Sequence, residues 1–395
     1  MKRKILVLSW VALMGGVCFF GCENKKNNPV QSSGINPVPA EDTGSPRKTA
    51  IQYAKNFAIT YLPDQVKLLT DSDGNQRLLV PRGREVPPGY AGLQVIPTPI
   101  NHVLYTATPQ VGFIDALSKA LGEDSLFASI GGVMNSPEEW VIPQIVDGLA
   151  KGTIAYIPQD HRTGANIESV LALSPEMVFT GGLEESQVLL RAMLDEAGIP
   201  YVTVTNWTEP DNNAGLEWIK FFAAFYNLDA LADEVFETKL ARIEELSKIT
   251  ADIPDPERPT VAFALVYEGI VYTQGGQSTT AQELYRAGGL YAFRDIPGKG
   301  GINLGMEEFF NRARDSDVLI YTTLPAYCPD KKALVDVDPL LGELKAFKED
   351  RVFILDKGYY MNSAGVDEKF LDMVFMVHPE LMKGHTLKHY MRLPD

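Results

Sequence analysis

The feature that most constrains the fold is a repeated alternation of short apolar segments with longer amphipathic ones. The first set predicts strands at 102–105, 126–130, 177–180 and 201–204, and helices at 112–121, 167–173 and 184–197. The second set comprises segments at 260–266, 281–287, 306–313, 318–322, 340–347, 352–355 and 370–377. Such alternation predicts mostly parallel sheets covered by helices. A long helical stretch, 228–249, separates the two sets.

We therefore predict an α/β fold with two α/β lobes of mostly parallel sheets, one long spanning helix between them and an N-terminal β-hairpin. The hairpin follows from alternating apolar and polar residues at 51–80 around Asp73-Gly74, a common turn dipeptide. The predicted boundaries are a signal at 1–21, a flexible tether at 22–48, the hairpin extension at 49–100, the N-terminal lobe at 101–227, the spanning helix at 228–250 and the C-terminal lobe at 258–390.

The N-terminus reads as an export signal. Three basic residues precede an apolar run at 5–20, which ends in Gly21-Cys22. A cysteine at this place resembles a bacterial lipobox, so we expect acylated Cys22 to anchor the mature protein outside the cytoplasm, with each buried CH₂ contributing about 0.8 kcal/mol. The alternatives are a plain secretory signal or an N-terminal membrane anchor, although a span needs roughly 20 apolar residues.

Composition disfavours several classes of function. Removing 1–21 leaves 33 basic and 51 acidic residues, a net charge of −18 that argues against nucleic-acid partners. Apart from Cys18 and Cys22, the chain has Cys328 alone, which we expect to be a small, partly buried residue. The sequence lacks a phosphate-binding loop, a His-Glu-x-x-His motif and a Gly-x-Ser-x-Gly motif, and its five histidines are scattered. We therefore expect no enzyme activity, no cofactor and no bare-metal site.

Six segments share a recognisable pattern of helix starts and strand entries: 166–178, 198–202, 275–278, 287–289, 307–318 and 378–381. In order and spacing they resemble the substrate-binding proteins of siderophore, haem and cobalamin ABC importers, over about residues 50–385. A Glu217-Trp218 pair together with the extra hairpin matches one branch of that family. The Pro-Leu-Gly-Arg run usual before this pair is absent, since 211–216 lacks the arginine.

The resemblance implies a lipid-anchored, monomeric binding protein that captures a metal chelate between its lobes and delivers it to an ABC permease dimer with its ATPase. A ferric siderophore is the foremost ligand, with cobalamin or haem as alternatives. It also implies docking through one glutamate on each lobe, Glu168 and Glu307, with Glu308 as the neighbouring alternative. From another class, an extracytoplasmic sensor or interaction protein would share the fold.

Candidate ligand-binding residues follow strand ends or precede helices, because ligands of such sheets bind outside the carboxyl ends of the strands. A planar Arg162 would suit carboxylate or catecholate groups, or would pair with a nearby acid on the surface. His161 beside it is expected to be an exposed loop residue, and Trp207 either lines the cleft or packs. The predicted ligand-binding set is Tyr105, Thr106, Asn135, Arg162, Trp207, Tyr267, Tyr272, Gln277 and Tyr360.

Overall fold

The computed structural model describes residues 50–160, 164–182 and 184–395. The predicted signal and tether, with Cys22, lie outside these residues, as do His161 and Arg162. Within the described part of the chain, no helix combines the length and the apolar character that crossing a bilayer requires.

The secondary structure alternates as expected. The strands are β1 (Ala58–Tyr61), β2 (Lys67–Thr70), β3 (Gln76–Pro81), β4 (Gln94–Thr98), β5 (Val103–Tyr105), β6 (Ile130–Val133), β7 (Ala155–Tyr156), β8 (Gln159–Asp160), β9 (Gly164–Ala165), β10 (Met177–Thr180), β11 (Tyr201–Thr203), β12 (Thr260–Tyr267), β13 (Ile270–Gln274), β14 (Leu290–Tyr291), β15 (Gly301–Gly305), β16 (Val318–Tyr321), β17 (Val352–Leu355) and β18 (Tyr390–Arg392). The α-helices are α1 (Thr108–Leu121), α2 (Pro143–Lys151), α3 (Ile167–Leu173), α4 (Glu185–Ala197), α5 (Asn212–Tyr226), α6 (Asp229–Thr250), α7 (Thr279–Arg286), α8 (Met306–Ala313), α9 (Lys331–Val337), α10 (Lys345–Lys348) and α11 (Val366–Val377). Short 3-10 helices lie at Pro63–Gln65, Ser125–Ser129, Pro137–Glu139, Asn206–Thr208, Asp255–Glu257, Pro339–Glu343 and Tyr359–Met361.

Each lobe is built on its own sheet. The N-terminal sheet is parallel throughout, with strand order β11-β10-β5-β6-β7. In the C-terminal sheet β12, β14, β16 and β17 are parallel, and the antiparallel strands β13, β15 and β18 extend its edges. The central strands are almost entirely apolar, with every residue buried, because both of their faces are covered. This architecture confirms the predicted fold class.

The helix α6 joins the two lobes. Its N-terminal half places Ala232 and Phe236 in the core of the N-terminal lobe, whereas Ile243 lies in the core of the C-terminal lobe. Near its middle, Lys239 Nζ and Arg242 Nη1 donate to the two carboxylate oxygens of Asp367 over 2.7 and 3.1 Å. The spanning helix is therefore fixed to both lobes by apolar packing and to the C-terminal lobe by two charged hydrogen bonds.

One predicted strand, 126–130, is wrong. Most of it is the 3-10 helix Ser125–Ser129, and the strand is β6, which contains Gly131 and Gly132. Glycine has low strand propensity, so the sequence placed this pair in a loop. A Cβ on Gly132 would lie 2.8 Å from Leu173 Cδ2. Close packing therefore requires glycine inside this strand.

The predicted hairpin is the centre of a separate four-stranded sheet, which precedes the N-terminal lobe. Strands β2 and β3 pair around the turn at 71–75, while β1 and β4 complete the strand order β1-β2-β3-β4. The turn residue Gly74 has φ 79°. Asp71 Oδ1 accepts the N–H groups of Asp73 and Asn75, and its Oδ2 accepts the N–H of Thr203 in β11. The turn is thereby attached to the end of the N-terminal lobe's sheet.

The Glu217-Trp218 pair holds the start of the described chain. The fully buried Glu217 carboxylate accepts the backbone N–H groups of Gln52, Tyr53 and Ala54 over 2.7 to 3.1 Å. Lys220 Nζ donates to the same carboxylate over 3.2 Å. This motif of the resembling branch therefore holds the first residues of the N-terminal extension in place.

Candidate functional site

The carboxyl ends of the two sheets face each other, and two contacts join the loops that follow them. At the first contact Ser363 Oγ donates to the carbonyl of Pro109 over 2.7 Å. Here Gly112 lies against the Met361 backbone, so that a Cβ on Gly112 would stand 1.9 Å from the Met361 carbonyl oxygen. Only glycine allows α1 this close to the loop after β17.

The second contact joins the loop after β11 to α7. Thr279 Oγ1 donates to the carbonyl of Pro210 over 3.0 Å. Asn212 Nδ2 donates to Glu283 Oε1. The candidate ligand site is the cleft between these two contacts, where the sheet edges of both lobes meet.

A group of tyrosines follows β17 at this edge. Tyr359 and Tyr360 lie ring to edge, with centroids 5.2 Å apart, and both remain partly exposed. The hydroxyl of Tyr359 lies 3.3 Å from that of Tyr390. Lys369, in the first turn of α11, places its Nζ 4.2 Å from the centroid of the Tyr359 ring. The cleft wall here combines aromatic faces, hydroxyl groups and one ammonium group.

Two charged groups near these tyrosines have shifted pKa values. Burial raises the pKa of Glu283 to about 7, against the hydrogen bond from Asn212 and the positive charges of Arg286 and Lys369, which favour its ionised form. Burial lowers the pKa of Lys369 to about 8, with Glu283 acting in the opposite direction. Burial also raises the pKa of Tyr359 to about 12. All three residues are half-buried, so the surrounding protein removes part of the water from their charged forms.

The predicted pair Tyr267 and Tyr272 lies on the hairpin of β12 and β13. The turn residues Glu268 and Gly269 have φ values of 50° and 78°, as a two-residue type I′ turn requires. Tyr272 is opposite Leu265, which places Tyr267 diagonally across the same face of the hairpin. Both rings are partly exposed.

Tyr105 is corrected by the structure. Its ring is fully buried, stacked on Phe179 with centroids 4.9 Å apart, and its hydroxyl lies 3.0 Å from that of Tyr226. The strand β5 ends with this side chain pointing into the core rather than toward the cleft. Tyr105 is therefore a core residue. The sequence did not show this, because a buried parallel strand is apolar throughout and its last core position looks like the first position of the following loop.

The next two predicted residues stay close to the sheet edge. Thr106 is 2% exposed, and Asn135 is half-buried with its Nδ2 donating to Glu139 over 3.0 Å. Thr106 Oγ1 and Asn135 Oδ1 are buried without a hydrogen-bond partner within the described residues. Both follow adjacent strands, β5 and β6, and are candidates for contact with a bound molecule.

The glycine-rich segment 275–278 uses its backbone N–H groups inside the C-terminal lobe. The N–H groups of Gly275, Gly276 and Gln277 donate to carbonyls of 296–300 over 2.7 to 2.9 Å. A Cβ on Gly276 would lie 2.1 Å from the Arg294 carbonyl oxygen, so the glycines serve this close packing. Gln277 itself is exposed.

Trp207 lies in the 3-10 helix after β11, beside Gly182, and is 37% exposed. A Cβ on Gly182 would be 3.2 Å from its ring. The tryptophan therefore covers the end of β10 and still presents one face to solvent at the carboxyl edge of the sheet.

The docking candidates lie on separate lobes. Glu168 is in the first turn of α3 and Glu307 in the first turn of α8, and both are exposed. Glu308 differs, because its carboxylate lies 3.4 Å from Arg312 Nε. Of the two adjacent glutamates, Glu307 has the more available carboxylate.

Sequence reasoning missed Glu283, Lys369 and Asn212. They come from three helices far apart in sequence, and none belongs to a recognisable motif. Cys328 is buried, and burial raises the pKa of its thiol to about 12, which agrees with a small core residue. Among the described residues, no cluster of histidine, cysteine and carboxylate side chains could hold a metal ion.

A groove of about 530 Å³ lies beside the first contact. Its charged side chains are bonded to neighbours: Asp115 to Lys119, and Lys388 to Glu368, each over 2.6 Å. Asp356 accepts the N–H of Gly358 over 2.8 Å. With these charges satisfied locally, the groove is a weaker candidate than the cleft.

Two α/β lobes, a spanning helix and a cleft at the strand ends define a two-lobed solute-binding protein. The family model described as periplasmic binding protein matches residues 139–359, more than half of the chain, and the chain belongs to this family. The periplasmic location of the family supports an extracytoplasmic location for this protein.

The chain is similar to an archaeal lipoprotein in sequence and to solved binding proteins of different ligands in fold. An uncharacterized lipoprotein of Methanocaldococcus jannaschii is 24% identical over 414 residues, covering 99% of this chain and 96% of that protein. A molybdate periplasmic binding protein of a Haemophilus influenzae ABC transporter has a TM-score of 0.56 at 17% identity, covering 81% of this chain and 94% of that one. A periplasmic heme binding protein from Pseudomonas aeruginosa has a TM-score of 0.53 at 17% identity, covering 73% of this chain and 94% of that one. At these identities the structures show the fold alone.

Proposed function

We propose that this protein captures a metal chelate in the cleft between its lobes and delivers it to an ABC permease, without making or breaking a bond. A ferric siderophore is the foremost ligand, and haem or cobalamin is the alternative. The observation that carries the proposal is the half-buried group of Tyr359, Tyr360 and Lys369 beside the inter-lobe contacts, which combines ring faces with polar groups suited to a chelate. The lack of a metal-binding cluster among the described residues favours a chelate over a bare ion.

The decisive experiment identifies the ligand. Protein purified from the native host is analysed by mass spectrometry under non-denaturing conditions and after denaturation, so that a retained chelate appears as a mass lost on unfolding. Ferric siderophores, haem and cobalamin are then titrated into the ligand-free protein. Absence of a retained chelate, together with no saturable binding of any of the three classes, contradicts the proposal.

Membrane attachment through Cys22 is part of the proposed role. The Gly21-Cys22 sequence after an apolar run supports it. Cells fed a labelled fatty acid should label the wild type and leave Cys22→Ala unlabelled. Equal labelling of the two proteins would exclude this anchor.

We propose that Glu168 and Glu307 dock the loaded protein onto arginines of the two permease subunits. Their exposure and their positions on opposite lobes support this role. A helix dipole alone also favours glutamate in a first turn, by about 0.3–1 kcal/mol. The double variant Glu168→Arg and Glu307→Arg should abolish uptake and retain ligand affinity.

The matched control for docking is Glu245→Arg, an exposed position on the spanning helix. It should transport at the wild-type rate. Normal uptake by the double variant would leave helix-dipole stabilisation as the role of both glutamates.

A further inference from the structure

Lys369 is a half-buried cation that forms no ion pair with any residue that the structure describes. Its Nζ contacts the Tyr359 ring, and within the described residues it makes no hydrogen bond and has no carboxylate within 4.0 Å. The residue is partly exposed, so the ammonium group is accessible from the cleft. Burying a charge without compensation is unfavourable, which makes such a group unusual in a folded protein.

Three other lysines with little exposed side chain, within the part of the chain that the structure describes, each have a carboxylate partner. Lys67 lies 2.8 Å from Asp229, Lys220 lies 3.2 Å from Glu217, and Lys239 lies 2.7 Å from Asp367. The exception is therefore confined to the cleft, where a bound molecule could supply the missing anion.

The nearest carboxylate does not fill this role. Glu283 acts on Lys369 through space, but it accepts its hydrogen bond from Asn212 of the other lobe. At the same time a charged Glu283 would repel an anion that approaches Lys369. The two residues therefore have opposite effects on an anionic ligand.

We propose that Lys369 is the anion-binding group of the cleft, and that the ligand presents a carboxylate, catecholate or other anionic oxygen group to its ammonium. This inference rests on the proposed function and names the charge class of its ligand. The Tyr359 ring beneath the ammonium orients it and leaves its N–H groups free to donate to the ligand.

The test compares three variants in calorimetric titrations at pH 7.5 with ferric citrate, ferric tris-catecholate and molybdate as anionic probes. A neutral ferric trihydroxamate serves as the uncharged probe. Lys369→Met should weaken the anionic probe that binds best by about 10- to 100-fold, the effect of one charged hydrogen bond. Glu283→Gln should strengthen the same probe several-fold. The control Lys383→Met, at an exposed lysine, should match the wild type.

Equal affinity of the wild type and Lys369→Met for the anionic probes overturns the inference, as does a wild type that binds none of them. Circular dichroism and thermal unfolding of Lys369→Met verify its fold. If the neutral chelate binds the wild type and Lys369→Met equally while the anions do not bind, this inference fails and chelate capture stands. If neither class binds and the native protein carries no chelate, the proposed function fails as well.

Discussion

Two lysines, one in each lobe, lie over an aromatic ring but differ in the groups that surround their charge. In the N-terminal lobe Lys220 Nζ lies 4.4 Å from the Phe236 ring centroid, and in the C-terminal lobe Lys369 Nζ lies 4.2 Å from that of Tyr359. Around Glu217 and Lys220 every charge is matched by backbone N–H groups, a carbonyl or a second carboxylate. Around Lys369 the ammonium has only the ring among the described residues.

The difference separates structure from function. A buried charge whose hydrogen-bonding capacity is satisfied fixes one arrangement of the chain, here the start of the described segment against α5. A half-buried charge without an anionic partner raises the free energy of the ligand-free protein. Binding of an anionic ligand removes this cost. The four predictions that follow test this comparison.

The largest effect is expected for Glu217→Ala. The change leaves Lys220 with Asp233 and the Ala50 carbonyl, and it leaves three backbone N–H groups without the acceptor that Glu217 supplies. Breaking such a buried pair costs about 3–5 kcal/mol, which urea unfolding at pH 7 would measure. The exposed Glu245→Ala is the control and should change stability by less than about 0.5 kcal/mol. A loss below about 1 kcal/mol for Glu217→Ala would mean that the anchor is not needed.

The second prediction concerns the pH dependence of Glu283. Because burial raises its pKa from 4.5 to about 7, the folded state holds its proton more tightly than the unfolded state does. Its contribution therefore favours folding below pH 4.5 and is lost as the pH rises to 7. Glu283→Gln should be about 2–3 kcal/mol more stable than the wild type at pH 8 and equally stable at about pH 4, below the unfolded-state pKa. Urea unfolding at the two pH values checks this, and a pH-independent difference would contradict it.

The third prediction is a gain of stability on removing an unpaired charge. Because burial lowers the pKa of Lys369 to about 8, its charged form destabilises the ligand-free protein at pH 7. Lys369→Met should raise the free energy of unfolding by about 1 kcal/mol, since Glu283 loses a favourable neighbour at the same time. Thermal unfolding of the ligand-free protein measures it, with Lys383→Met unchanged. A loss of stability in Lys369→Met would show that Lys369, like Lys220, has a structural role.

The smallest effect is optical. Trp140 and Trp218 are buried at 3% and 0% exposure, whereas Trp207 at the carboxyl edge is 37% exposed. Titration with ferric citrate should quench tryptophan fluorescence, and Trp207→Phe should remove most of that quenching while affinity changes little. Full quenching in the variant would show that the ligand lies away from the loop after β11.

The sequence predicted the elements whose signals are local. Apolar periodicity placed α3 and α8 at the residues where the structure has them, and the continuous apolar run of β10 was equally clear. The strand containing Gly131 and Gly132 was not predictable, because its residues are chosen by packing between elements rather than by propensity.

Much of the candidate site could not be predicted from the sequence, because it also depends on packing between distant elements. Loop positions after strands made the tyrosine hairpin and Tyr360 candidates, since ligands of such sheets bind at the carboxyl ends of the strands, and their contact with ligand stays a prediction. Glu283 and Lys369 come together only through the packing of α7 against α11, and no local pattern distinguishes them from surface charges. Their candidate role depends on the neighbouring groups in the folded protein, which the sequence alone does not reveal.

The backbone contact at Gly112 makes the distance between the lobes adjustable. A methyl group there would meet the Met361 carbonyl oxygen at 1.9 Å, so each added carbon acts as a spacer inserted at the pivot. A series of Gly112→Ala, Gly112→Val and Gly112→Leu would wedge the lobes apart in steps. The same scaffold could thus be engineered for larger cargo through one position that a bound molecule need not touch.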